Sequence, residues 1–348
     1  MTAPLPAKLA FPFPDLPAPE GSVALARGIR WLRFPLPFAL DHINVWLIED
    51  RIDGRDGWTL VDTGIATEAT RRNWAAHFES TLQGRPLLRV VVTHCHPDHV
   101  GNAAWLCDRF AVPLWMTHAE YVTGHAMGDQ RAGFGTDAAV RLFRAHGLGP
   151  HAVGEMLAGG NRYRRGVPSL PLTYRRLLVG DRIEIGGHAW TVIPGYGHSP
   201  EHASLHCPEQ GLLISGDMLL PKISTNVSVW PSEPDGNPLA LFLGSLGRFD
   251  ALPPDTLVLP SHGLPFRGIP LRVGQLRAHH DTRLGELLEA AADPVTAREA
   301  VPVMFRRELD LHQVFFAMGE AIAHLNYLWH AGRLQRLEAP GEPYRFVQ

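Results

Sequence analysis

The sequence predicts an α+β protein: two β-sheets packed face to face with helices outside, a helical insertion and a small C-terminal module. Three observations support this. Short strand-like runs cluster in both halves of the chain with helices between them, as in two packed layers of sheet. Residues 118–176 are instead helical pieces punctuated by Gly and Pro, which reads as an inserted lid. From Leu271 the character changes again, to three amphipathic helices (about 272–292, 296–304 and 311–332) and two short strands around 335–338 and 344–347. That element order fits a small winged-helix domain over 271–348. It follows a main domain over 21–270, and a Pro-rich arm over 1–20 leads the chain.

Within the main domain, residues 43–49 begin with strand-like alternation, and residues 58–61 form a strand running into Asp62-Thr63-Gly64. Residues 67–82 read as a helix. The β-branched, continuously apolar run 87–93 suits a strand buried on both faces. It stops in a loop, 94–99, and a helix through Phe110 and a short strand at 114–116 follow. Strands resume at 177–185, 188–193, 203–206, 212–214 and 257–259, with a helix over 238–249 before the last.

The composition bounds the function. The chain has 348 residues, 45% hydrophobic and 19% charged, enough to bury a core as two domains or as one with an appendage. A net charge of −3 and a pI of about 6.7 supply no global field toward nucleic acid or a membrane. Cys95, Cys107 and Cys207 are odd in number and lack framework spacing, which favours a reducing compartment without disulfides. The arm has no apolar run long enough for a signal segment, and no later stretch approaches the roughly 18 apolar residues of a membrane span. The expectation is a cytoplasmic protein with a frayed start. The 19 histidines stand out, because imidazole is the commonest metal ligand.

The strongest chemical signal is Thr93-His94-Cys95-His96-Pro97-Asp98-His99, three imidazoles and a carboxylate in a tight loop directly after a buried strand. Pro97 stiffens the loop. Donors of this type suit zinc, manganese or iron, whereas magnesium and calcium prefer oxygen cages. Ligand-type residues recur at later strand ends, in Gly197-His198-Ser199-Pro200-Glu201-His202, Ser215-Gly216-Asp217 and Ser261-His262-Gly263. Cys95 alternates away from its neighbours and reads as a packed free thiol.

The H-x-H-x-D-H loop, its three later partners and Asp62 after a strand together resemble the metallo-β-lactamase superfamily over roughly residues 20–270. The resemblance implies an αββα sandwich with two metal ions, zinc foremost, at one edge. It implies that His94, His96 and His198 bind one ion, that Asp98, His99 and His262 bind the other, and that Asp217 bridges both. Asp62 and His202 would orient ligands. Two ions this close acidify a shared water enough to give hydroxide near neutral pH, and Asp98 would hold and orient it for catalysis.

Within the superfamily, the carboxylate at Asp217 sets the chain apart from true β-lactamases, as does the lack of a secretion signal. Glutathione-thioester hydrolases share all seven ligands but continue past the Asp with a Gly-Cys-Gly-Arg-like segment, whereas this chain reads Asp217-Met218-Leu219-Leu220. Flavodiiron proteins carry Glu where His96 stands. The overall layout resembles the subgroup with a winged-helix tail, which includes endoribonucleases and acyl-carrier-protein thioesterases; His280 and Arg283 match its His-x-x-Arg pattern. The tail carries nine Arg against ten acidic residues. Phosphate-backbone binding needs uncompensated cations, so packing or homodimerisation is the tail's expected role and nucleic acid is not an expected partner.

The lid differs. Between 161 and 182 lie Arg162, Arg164, Arg165, Arg175, Arg176 and Arg182 against Asp181 alone, a local charge of +5, with Tyr163 and Tyr174 offering stacking faces. Arg forks suit phosphates and carboxylates. The cluster is either a solvated surface or, through Arg162, Tyr163, Arg164 and Arg165, a site for coenzyme A, a phosphopantetheine arm or a phosphodiester. The leading expectation is hydrolysis of a thioester, ester or lactone. Phosphodiester hydrolysis, RNA included, comes second, and a metal-bearing binding module third.

Overall fold

Alternating apolar residues build the first sheet. In the computed structural model, which describes residues 8–26 and 28–348, it consists of β1 (Val23–Ala26), β2 (Ile29–Pro35), β3 (His42–Ile52), β4 (Arg55–Val61), β5 (Leu87–Val91), β6 (Leu114–Thr117) and β7 (Tyr174–Leu177), side by side in chain order. The first four are antiparallel and β4 to β7 are parallel, so each parallel step needs a crossover. Helix α1 (Glu68–Glu79) makes the first. Helices α2 (Pro97–Val100) and α3 (Ala103–Phe110) make the second. The third is the lid, α4 (His118–Gly128), α5 (Thr136–Ala145), α6 (Pro150–Gly159) and α7 (Arg162–Gly166).

The second sheet holds β8 (Arg182–Ile185), β9 (His188–Gly195), β10 (His202–Cys207), β11 (Leu212–Gly216) and β12 (Leu257–Pro260), again neighbours in chain order, with α8 (Pro238–Asp250) crossing between the last two. Trp31 and Trp46 pair in register, stack at 6.2 Å and join Trp190, Leu205 and Ile214 between the sheets. Leu32, Val45 and Val90 face outward onto Trp74 of α1 and Leu106 of α3. Leu213 and Val258 face α8 on the opposite side. The result is an αββα sandwich.

Three local expectations need correction. The strand read over 177–185 is two strands in different sheets: β7 ends at Leu177, the chain turns at Gly180 (φ 79°), and β8 begins the second sheet. Asp181 caps that turn by accepting from the Leu178 N–H at 2.9 Å. The loop at 94–99 closes as a single helical turn, with Pro97 at its first position, where a missing N–H costs nothing. Residues 1–7 of the Pro-rich arm lie outside the described residues. Residues 8–20 are docked, not frayed: Ala10 exchanges backbone hydrogen bonds with Arg267, and Phe11 and Phe13 pack onto two of the cores.

The tail forms α9 (Ile269–Ala290), α10 (Ala297–Met304), α11 (Leu311–His330), β13 (Gln335–Leu337) and β14 (Arg345–Val347), in the expected order. Capping boxes at Thr296/Glu299 and Asp310/Gln313 set the starts of α10 and α11. Among the described residues the tail has no core of its own. Leu276, Ile322 and Phe346 share one apolar cluster with Phe143 of the lid and Phe242 of α8. Tyr344 donates its N–H to Ala145 at 2.7 Å, and the His146 ring stacks on Phe346. Many tail arginines are engaged: Arg283 and Arg306 pair with Glu286, Arg345 with Glu299, and Arg336 with Asp235 and Glu338. Among the described residues no helix is long and apolar enough to cross a membrane.

The lid–tail seam titrates. Burial, with the nearby Arg336 charge, lowers the His146 imidazole to about 4. The unfolded chain therefore takes up a proton as pH falls through about 6.5, while the folded chain does so only near 4. The stabilisation is complete above pH 6.5 and is lost as pH falls toward 4, by roughly 1.4 kcal/mol per pH unit and about 3 kcal/mol in all. His146→Phe should flatten the denaturation midpoint between pH 6.5 and 4 relative to the parent protein, and an unchanged slope would contradict the assignment.

Candidate metal centre

Five strands deliver the candidate donors and their Asp62 support to one edge of the sandwich. Asp62 follows β4, the 94–99 segment follows β5, His198 follows β9, Asp217 follows β11 and His262 follows β12. Within each sheet these strands run the same way, so the donors of each sheet lie at C-terminal strand ends, where α/β folds place their ligands. His94 Nε2 lies 2.9 Å from His96 Nδ1 and 3.1 Å from His198 Nε2. Asp217 faces two groups at once: Oδ2 is 3.3 Å from His198 Nε2, while Oδ1 is 3.3 Å from His262 Nε2 and 3.6 Å from His99 Nε2. Asp98 Oδ2 completes the second group at 3.5 Å from His262 and 3.6 Å from His99.

These residues fit divalent metal. The sets His94–His96–His198, His94–His99–Asp217 and Asp98–His99–His262 each bring donor atoms within 4.8 Å of one another. His99 Nε2 and Asp217 Oδ1 are buried without a hydrogen-bond partner, a costly state for a polar atom unless a cation fills it. Burial, reinforced by neighbouring imidazoles, holds His94 and His96 well below the ordinary histidine range, so their nitrogens carry the lone pairs a metal needs.

A family model described as the metallo-beta-lactamase superfamily matches residues 39–262. The chain belongs to that superfamily. A second model, described as the metallo-beta-lactamase-like C-terminal domain, matches residues 284–348. The crystal structure of a beta-lactamase domain protein from Burkholderia ambifaria is 52% identical, with a TM-score of 0.89, over 98% of this chain and 97% of that one. A probable metallo-hydrolase from Bacillus subtilis (strain 168) is 25% identical over 85% of this chain and 91% of its own length. An acyl-coenzyme A thioesterase from Bos taurus is 24% identical over 56% of this chain, which spans 65% of that protein.

The metallo-beta-lactamase centre is held from behind. His99 Nδ1 contacts Asp62 at 2.8 Å, His94 Nδ1 contacts Thr93 Oγ1 at 3.0 Å, and His262 Nδ1 contacts the His42 carbonyl at 2.7 Å. Each contact turns Nε2 toward the cleft. Asp62 sits at φ 63°, a left-handed conformation that costs of order 1–2 kcal/mol for a residue with a Cβ. Hydrogen bonds from the Thr93 N–H and hydroxyl to its carboxylate hold it there. His202 accepts from the Asp217 N–H at 3.2 Å, and burial lowers its imidazole to about 3, which keeps that acceptor free. Gly216 (φ 53°) is required beside it, because a Cβ there would overlap the His202 ring.

Several supports were not legible in sequence. Buried Glu120, on α4, accepts from the Cys95 N–H, the Ser199 hydroxyl and the Glu201 N–H, tying two donor loops together. His198 Nδ1 contacts the Asn226 carbonyl at 2.7 Å, and Asn226 donates its side-chain N–H to buried Glu320 of α11 at 3.1 Å. The Trp230 ring lies nearly parallel to His96, 6.1 Å away. The tail thus backs the loop that orients His198. No motif marks Asn226 or Glu320; a polar residue inside the otherwise apolar run Ala317–Ala323 was the one available hint.

The lid arginines do not converge. Arg164 pairs with Asp129 at 2.9 Å, Arg165 donates to the Gly159 carbonyl at 2.8 Å, and Arg162 lies over the Phe315 ring. Arg175 and Arg176 sit on β7 and Arg182 on β8, in different sheets. Tyr163 is buried, its hydroxyl donating to the Cys95 carbonyl at 2.8 Å.

Burial holds the Glu320 carboxyl up near 7, so either form of it can accept from Asn226. Glu320→Ala should release Asn226 and lower metal affinity about 10- to 100-fold, read as faster metal loss to a chelator. Glu320→Gln, which keeps an acceptor, should stay within about threefold. Equal metal retention in Glu320→Ala and the parent would disconnect α11 from the centre.

Proposed function

We propose that the protein is a dinuclear metal-dependent hydrolase that cleaves an activated acyl bond, a thioester before an ester or lactone, in an anionic small molecule. The observation that carries this is Asp217, one carboxylate whose two oxygens face two separate sets of imidazoles. In this reading His94, His96 and His198 hold one ion, Asp98, His99 and His262 hold the other, and Asp217 serves both. The nitrogen-rich donors favour zinc, and the same set accepts manganese or iron. Bound ions of this kind supply Lewis acidity and acidify water.

The chain's own groups do the rest. Asp98, the more exposed of the two carboxylates, orients the attacking water, accepts its proton and passes that proton to the departing thiolate or alkoxide as the acyl bond breaks. Asp62, His202 and the Asn226 carbonyl keep the donors in place, so the site needs little reorganisation as charge develops. The local excess of arginine in the lid supports an anionic substrate, such as a coenzyme A or phosphopantetheine conjugate. The similarity to an acyl-coenzyme A thioesterase supports placing thioesters first. Phosphodiesters rank lower because so many tail arginines are engaged.

Two measurements test the reading. Elemental analysis should find close to two transition-metal ions per chain, and Asp217→Ala should lower both occupancy and, by about a hundredfold or more, turnover. An unaffected variant would remove the shared-donor role. Zinc-loaded protein offered thioesters, lactones and phosphodiesters should turn over thioesters with the highest kcat/KM. A preference for phosphodiesters would overturn the substrate class.

A further inference from the structure

The lid encloses a cleft that the metal centre does not use. It holds about 170 Å³ and is walled by Met127, Phe134, Ala139 and Met156, with Tyr163 and, from α11 of the tail, Phe315. Gln130, Thr136 and Asn161 add polar groups to the lining, and among the described residues that line it Arg162 is the one charged side chain and none is a carboxylate. Two contacts join its wall to the donors. The Phe134 ring meets Trp230 edge-on at 5.5 Å, and Trp230 lies parallel to His96. Tyr163 donates its hydroxyl to the carbonyl of Cys95, the residue between His94 and His96.

We infer that this cleft receives the apolar acyl chain of the substrate, with the Trp230 and Phe134 rings guiding it from the scissile carbonyl into the lid. The inference rests on the acyl-hydrolase reading and adds the identity of the acyl group to it. Most of the wall is aromatic, thioether and methyl side chains, which match methylenes, and its polar groups offer a cation no counter-charge. At roughly 30 Å³ per water-sized group the volume holds about five or six carbons, too little for a peptide helix. The tail then has a direct part in recognition, because Phe315 closes one wall.

Each methylene that enters should tighten binding about fourfold. For a series of straight-chain pantetheine thioesters, kcat/KM should rise from acetyl to about hexanoyl and then level off. Ala139→Phe, which fills the cleft, should abolish that rise and leave acetyl turnover within about twofold. Met156→Ala, which enlarges it, should move the plateau to longer chains by about two carbons and covers the case in which the filled variant misfolds. Calorimetry with octanoate and butyrate provides a readout without turnover: the parent protein should bind octanoate more tightly, and Ala139→Phe should erase the difference. Thioester hydrolysis with no dependence on chain length overturns the cleft assignment and leaves the acyl-hydrolase reading intact. Octanoate binding that responds to Ala139→Phe in a protein that cleaves no acyl substrate does the reverse. Equal losses for acetyl and hexanoyl substrates in both variants would also overturn it.

Discussion

Everything in this protein answers to one electrostatic constraint: five imidazoles and two carboxylates converge on one small region in which most of them are buried. Burial of such groups is costly without a counter-charge, and imidazoles this close repel one another's protons. A divalent cation would resolve both problems at once. The rear nitrogens of His94, His99, His198 and His262 are already occupied by Thr93, Asp62, Asn226 and His42. The inward nitrogens are thereby left with each other and with Asp98 and Asp217.

That arrangement needs both sheets. The first sheet supplies Asp62 and the 94–99 segment, and the second supplies His198, Asp217 and His262. The Trp31–Trp46 layer and its partners between the sheets therefore do more than stabilise: they hold the relative height of the two donor sets. Glu120 ties the sets together through backbone and hydroxyl donors. The strained backbone of Asp62 is another consequence, since a relaxed residue there would not aim its carboxylate at both Thr93 and His99.

The C-terminal module belongs to the same system. Its helix α11 runs along the segment that carries Asn226 and Trp230: Gly319 accepts from the Val229 N–H, and Asn326 donates to the Pro234 and Gly236 carbonyls. The same helix presents Phe315 to the lid. Lid, tail and outer face of the second sheet share one core.

The sequence by itself determined two packed sheets with outer helices, the order of the tail elements and the clustering of ligand-type residues at strand ends, and its family resemblance implied the αββα arrangement and the seven candidate donors. The features read from residues rest on local signals: strand and helix patterning, and ligand-type side chains placed immediately after strands. The tertiary structure decided what depends on contacts between distant segments. The run of positive charge in the lid is contiguous in sequence, yet Arg175, Arg176 and Arg182 diverge into two sheets because the chain turns at Gly180. The support of His198 by Asn226 and Glu320 joins positions about a hundred residues apart and has no periodicity to betray it. Residues 8–20 look unstructured because their apolar side chains, Phe11 and Phe13 among them, find their partners only on surfaces that the rest of the fold must first create.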